Sequence, residues 1–137
     1  MPNGGYNLKS VNGLKIIHLN ILSLPNKLDE LAYIVHTCNV DVVCITESHL
    51  DACIPDANIA IKGFNVFRRD RNRYGGGVCV YFKHGCNFTP KPSLMNNTIE
   101  IMWFDVDACL KPRNLFRLGV VYIKPNADVA ELNCFID

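Results

Sequence analysis

A chain of 137 residues, 49% apolar and 20% charged, has room for one domain with one core and not for two, and its composition excludes a disordered chain. A formal net charge of +1 excludes bulk electrostatic attraction to nucleic acid, so any such binding must rest on local charge. No run is long and apolar enough to span a bilayer, and the polar, glycine-containing residues 1–10 lack the apolar stretch of a signal peptide, so the expectation is an intracellular protein, nuclear or cytoplasmic and not secreted.

Residues 1–13 read as a flexible N-terminal segment, and the domain is expected to begin at residue 14. Residues 14–21 (LKIIHLNI) read as a buried strand, with Leu14, Ile16, His18 and Asn20 on one face and Ile17, Leu19 and Ile21 on the other. After Pro25, Asn26 is placed to cap a helix over residues 27–38, in which Leu28, Leu31, Ala32, Val35 and Cys38 recur at helical spacing. Residues 41–46 (DVVCIT) form a second apolar run of strand length. Strand, helix and strand in so few residues suggest a βαβ-like crossover, which favours parallel pairing.

From Phe64 the pattern changes. Residues 64–67, 77–82, 99–106 and 116–123 are four further strands, separated by turn-rich stretches at 71–76 and 111–114. With no long helix between them, an antiparallel meander is expected. Residues 128–136 carry Val129, Leu132 and Ile136 at helical spacing and begin a second helix. A βαβ unit followed by many strands implies an α/β sandwich, a class that routinely needs about 200–250 residues.

The seven cysteines, Cys38, Cys44, Cys53, Cys79, Cys86, Cys109 and Cys134, contain no CxxC pair, and the histidines His18, His36, His49 and His84 complete no zinc-ligand spacing. They read as structural thiols in a reducing compartment.

Two polar residues stand at the C-terminal ends of the first two strands. Asn20 closes IIHLN, and Glu47 closes VVCITE. Ligands of parallel α/β sheets bind beyond the strand carboxyl ends, and a hard cation such as Mg²⁺ takes one or two carboxylates with waters and phosphate. The other reading is that both residues cap loops. Arg68, Arg69, Arg71 and Arg73 precede Gly75, Gly76 and Gly77. Four guanidinium groups so close can grip a phosphate backbone; a solvated hairpin turn is the alternative. The glycines are not a P-loop, because no GK[ST] follows.

LKIIHLNILSLPNKLDEL, DVVCITESHL, GFNVFRRDRNRYGGGVCVYFK and VVYIKPN, in that order, resemble the endonuclease/exonuclease/phosphatase superfamily, and within it the apurinic-endonuclease-like nuclease domains of non-LTR retrotransposons. The resemblance runs from about residue 14 to residue 126. It implies a four-layer α/β sandwich with two packed mixed sheets, of which residues 14–137 are the N-terminal portion. It implies that Asn20 is the active-site asparagine of the first strand, that Glu47 is the metal-binding glutamate with Asn20 beside it, and that Tyr122 contacts the scissile phosphate. Tyr122 departs from the family pattern by one extra residue before Pro125. Otherwise it reads as a packing residue at a sheet end. His49, beside Glu47 in TESHL, is expected to be structural or surface-exposed.

The implied activity is DNA phosphodiester cleavage with Mg²⁺ or Mn²⁺ as the only cofactor. In a retrotransposon such a nick exposes a 3′ hydroxyl for the reverse transcriptase domain of the parent protein. No GDFN-like or SDH-like segment is found, so the general-base aspartate and the Asp-His pair of the family are missing, and the chain as given is expected to be inactive. Two alternatives stay open: a non-catalytic or domesticated nucleic-acid-binding remnant, and another phosphodiesterase or phosphatase of the same superfamily.

Overall fold

The computed structural model describes residues 12–95, 97–107 and 115–136. Most of the segment expected to be flexible, and the turn at 111–114, lie outside the described residues.

The first apolar run forms β1 (Ile16–Asn20), followed by α1 (Leu28–Thr37) and β2 (Val42–Thr46). β1 and β2 pair in parallel, with Ile16 opposite Val42 and Asn20 opposite Thr46, as the short crossover implies. Asp41 fixes this register at its start by accepting the Lys15 N–H at 2.8 Å. Asn26 does not cap the helix. Lys27 occupies the N-cap position, without a side-chain capping bond, and its ammonium instead donates to the Ile21 carbonyl at 2.5 Å, tying the helix start to the end of β1.

β3 (Phe64–Arg69), β4 (Val78–Lys83), β5 (Asn87–Pro90), β6 (Glu100–Asp107), β7 (Leu115–Tyr122) and α2 (Val129–Ile136) follow. The expected meander is divided between two sheets. β3 and β4 are an antiparallel hairpin that joins the first sheet in the order β1-β2-β4-β3, whereas β5-β6-β7 form a separate antiparallel sheet. The short β5 had no signal in the sequence, because Asn87, Thr89 and Pro90 alternate with a single aromatic, Phe88. α2 begins at a reciprocal cap: Asp128 Oδ1 accepts the Glu131 N–H at 2.8 Å and Glu131 Oε2 accepts the Asp128 N–H at 3.0 Å. Among the described residues no helix is long and apolar enough to cross a membrane.

Two cores result. On one face of the first sheet, Leu31 and Val35 of α1 pack with Val43, Ile45, Cys79 and Tyr81. On the other face the two sheets meet through Val42, Cys44, Val78, Val80, Phe82, Met102, Phe104, Val106 and Val120. Continuous burial of β2 and β4 follows from this sandwiching. Phe82 stacks on Phe88 with ring centres 4.2 Å apart and meets Phe104 edge-on at 5.0 Å; Phe67 adds edge contacts to all three. These rings join the sheets, each such pair contributing about 0.5–1.5 kcal/mol beyond its buried area. The Cys44 and Cys79 thiols are buried and unpaired; burial pushes the Cys44 pKa up to about 11 and raises that of Cys79 further, as expected for inert core thiols.

Candidate active site

The site grows from the end of β2. After Thr46 the chain continues its ladder with β4's leading turn: Ser48 N–H donates to Gly77 O at 3.3 Å and His49 N–H to Gly76 O at 3.1 Å. On the other side, Ser23 N–H and Leu24 N–H donate to the Glu47 and Ser48 carbonyls at 3.0 and 2.9 Å. Held between these neighbours, Glu47 and His49 both adopt φ of 56°, a left-handed conformation costly for residues with a Cβ and concentrated at functional sites.

That backbone turns the Glu47 side chain back over the glycine turn, where it is 9% exposed. Gly76 N–H donates to Oε2 at 2.9 Å, His49 Nε2 donates to the same oxygen at 2.5 Å, and the Tyr122 phenol donates to the carboxylate as well. Burial works to raise the Glu47 pKa, but the hydrogen bonds from Tyr122, His49 and Gly76 outweigh it and hold the carboxyl below its ordinary value. Tyr122 shows the complement: donation to Glu47 raises its pKa. His49 is therefore a partner of the glutamate rather than a surface residue. Its signal in the sequence was its two-residue spacing from Glu47, which needs the left-handed backbone to become a contact.

The glycine turn requires glycine. Gly76 and Gly77 have φ of 66° and 89°. A Cβ on Gly77 would collide with the Ser48 Oγ, and one on Gly76 would lie 2.6 Å from Arg71 Nε and 2.8 Å from Glu100 Oε2. Glu100, absent from the sequence reading of the site, is the first residue of β6 and stands opposite Tyr122 in the β6–β7 register. Its Oε1 accepts the Gly77 N–H at 3.3 Å and lies 3.9 Å from Arg71 Nε. Burial raises its pKa, with Arg71 and the Gly77 amide opposing. A charged residue between Ile99 and Ile101 was the available clue.

The arginine cluster divides. Arg68 is enclosed, donating to Asp70 at 2.7 Å, to the Ile54 carbonyl at 2.6 Å and to the Asp51 carbonyl at 2.9 Å. Arg69 reaches across to the Ile101 carbonyl at 3.0 Å, and Arg73 pairs with Asp51 at 2.7 Å. Arg71 faces the site: it donates to the Gly75 carbonyl at 3.1 Å and its guanidinium lies 5.6 Å from the centre of the Tyr122 ring. Arg71, Glu100, Tyr122 and Lys124 line a cleft of about 360 Å³. Asn20 is exposed at the neighbouring strand end, opposite Thr46 and one position before the level of Glu47.

Among the described residues no three His, Cys, Asp or Glu side chains gather into a metal cage. Glu47 and Asn20 offer a carboxylate and an amide oxygen at neighbouring strand ends, donor types taken by a hard cation that keeps waters and binds phosphate oxygens. The residues present fit Mg²⁺ or Mn²⁺.

No family model matches the sequence, nor does any curated protein. Among solved structures the chain is similar to the endonuclease domain of TRAS1, a telomere-specific non-LTR retrotransposon, with 15% identity and a TM-score of 0.66 over 91% of this chain and 53% of that one. It is also similar to the human Nocturnin catalytic domain, with 10% identity and a TM-score of 0.61 over 88% of this chain and 53% of that one. ANGEL2, a 2′,3′-cyclic phosphatase, superposes at 16% identity with a TM-score of 0.51 over 86% of this chain and 46% of that one. The chain spans about half the length of these structures. The chain shares the α/β two-sheet fold of these structures, as the resemblance of its motifs leads one to expect.

Proposed function

From a chain with the endonuclease/exonuclease/phosphatase fold, we propose a divalent-cation-dependent phosphodiesterase domain of the retrotransposon type, with DNA as substrate and Mg²⁺ or Mn²⁺ as cofactor. One observation carries the reading: Glu47, in a left-handed backbone at a strand end, has its carboxylate kept ionised and oriented by Gly76, His49 and Tyr122. The resemblance of TESHL and RDR–GGGV to retrotransposon nucleases, and the fold shared with the TRAS1 endonuclease domain, support DNA as the substrate.

Glu47 would hold the cation, with Asn20 as a second oxygen donor. When bound, the cation polarises the phosphate and stabilises the leaving oxygen. Tyr122 has a single phenolic O–H, whose hydrogen bond is donated to Glu47. To serve a non-bridging phosphate oxygen it must turn from the carboxylate, a change that suits a donor aimed at charge developing in the reaction. Arg71 supplies the positive charge beside that phosphate. Arg68, Arg69 and Arg73 are part of the proposed DNA-binding face, though Arg68 and Arg73 already share their charge with Asp51, Asp56 and Asp70.

The test is Mn²⁺ binding by the 137-residue chain, followed by electron paramagnetic resonance, together with DNA binding followed by fluorescence anisotropy. Glu47→Gln is expected to weaken Mn²⁺ binding by about tenfold or more, since even an outer-shell partner is worth that much. Arg71→Met is expected to weaken DNA binding uniformly across sequences and to lower the salt slope by about one. Undiminished Mn²⁺ binding by Glu47→Gln would remove the cation site from Glu47.

A further inference from the structure

Building on that reading, we propose that Glu100 is a positioning residue for the site: from the second sheet it fixes the glycine turn and Arg71, and through the turn it sets the Glu47 carboxylate.

The geometry is a chain of contacts across the two sheets. Two successive amides of one turn serve two carboxylates. Gly76 N–H holds Glu47 Oε2 at 2.9 Å, and Gly77 N–H holds Glu100 Oε1 at 3.3 Å. Glu47 comes from the end of β2 in the first sheet, Glu100 from the start of β6 in the second. Glu100 stands opposite Tyr122, so the pair grips the turn from both sides, Tyr122 through the Glu47 carboxylate and Glu100 through the Gly77 amide. The same Glu100 oxygen lies 3.9 Å from Arg71 Nε, and the Arg71 guanidinium in turn covers the Tyr122 ring.

A second carboxylate near Glu47, with a side chain only 18% exposed, carries a cost in repulsion and desolvation. The Arg71 charge, the Gly77 amide and the Arg69 charge oppose it in part. An apolar residue would avoid the cost but could neither accept from the Gly77 amide nor attract a guanidinium. Space argues in the same direction: Gly76 has no room for a Cβ because Arg71 Nε and Glu100 Oε2 already occupy its neighbourhood. The turn, the arginine and the second glutamate therefore lock as one unit. An amide that moves with Glu100 is bonded in series with the amide that holds Glu47.

The experiment compares wild type, Glu100→Ala, Glu100→Asp, Glu100→Gln and Glu47→Gln in the full 137-residue chain. The first readout is the Gly76 amide proton in ¹H–¹⁵N spectra without metal; the second is Mn²⁺ affinity. Glu100 Oε2 lies beside Gly76, so loss of its charge alone moves the Gly76 resonance, and Glu100→Gln, which loses the charge but still accepts from Gly77, sets that baseline. Positioning predicts that Glu100→Ala and Glu100→Asp move the resonance further than Glu100→Gln does and weaken Mn²⁺ binding by roughly tenfold, the size of effect of an outer-shell partner on metal affinity. Glu100→Gln is expected to keep most of the affinity. Glu100→Asp keeps the charge but not the reach, and decides the matter if the alanine variant does not fold.

A Gly76 resonance that Glu100→Ala and Glu100→Asp move no further than Glu100→Gln does overturns the proposal. So does a Glu100→Gln variant as deficient in Mn²⁺ as Glu47→Gln, which makes Glu100 a direct ligand. If wild type and Glu47→Gln bind Mn²⁺ alike, the cation reading of the domain fails, and the Gly76 resonance still decides the role of Glu100.

Discussion

The guanidinium of Arg71 lies 5.6 Å from the centre of the Tyr122 ring, while the phenol at the other end of that ring donates to Glu47. One aromatic side chain thus joins the cation facing the cleft to the carboxylate at the end of β2. Tyr122→Phe separates the two roles. It keeps the ring under Arg71 and removes the donor from Glu47. Because that donor favours the ionised carboxylate, the Glu47 pKa is expected to rise in the variant, seen by following its side-chain carboxyl carbon through a pH titration. A Glu47 titration that does not move would mean that His49 and Gly76 alone set its charge.

Ser48 and Gly77 form a second testable pair. The Ser48 hydroxyl is buried with no hydrogen-bond partner among the described residues, and it occupies the space that a Cβ on Gly77 would need. Ser48→Ala removes an unsatisfied polar group, so unfolding in urea should show stability unchanged or raised by up to about 1 kcal/mol. Gly77→Ala should lose about 1–3 kcal/mol, from its φ of 89° and from the collision together. The double variant should recover only the collision part, and a double-mutant cycle measures it. Strict additivity would show that Ser48 moves aside without cost.

Phe82 is fully buried where four aromatic rings of the two sheets meet. Phe82→Ala leaves a cavity between the sheets and should cost about 3–5 kcal/mol in urea unfolding. A loss below about 1 kcal/mol, less than burial of one such side chain is worth, would mean that the sheets do not depend on this contact.

Asp105 gives the pH dependence. Arg117 donates to it at 2.7 Å and Lys91 lies 3.1 Å away, and these partners lower its pKa from 3.8 to about 2. Its folded pKa lies below its unfolded one, so its stabilisation is fully present above about pH 4 and is lost as pH falls toward 2. The stability difference between wild type and Asp105→Asn should therefore shrink as urea titrations move from pH 5 to pH 2.5. A difference constant with pH would show that the ion pairs carry no net stabilisation at this exposed position, as many surface pairs do not.

Much of the local structure was legible from residues 14–136. Apolar runs gave six of the strands within a residue or two, and helical spacing gave α1 and α2. Glu47 was legible as a carboxylate where a buried strand ends, since such a group is costly unless used. Tyr122 was legible only through the order of the motifs. These are properties of neighbours in the chain, set by periodicity and by the cost of burying charge. Which strands share a sheet was not of this kind. β4 inserts beside β2 and β5-β6-β7 separate from it, because strand pairing is a long-range choice made by which faces bury together. The division of the arginines was decided in the same way: Arg68 met Asp51, Asp56 and Asp70, while Arg71 met Tyr122 and Glu100. His49 and Glu100 reached the site through a left-handed backbone and a second sheet, which the spacing of His49 from Glu47 and the charge between Ile99 and Ile101 do not reveal by themselves. The sequence by itself determined six of the strands, the two α-helices and the carboxylate at the end of β2. Only the tertiary structure decided what surrounds that carboxylate, because contacts between residues 29 and 23 positions apart, such as Glu47 with Gly76 and Gly77 with Glu100, exist only once the sheets have closed on each other.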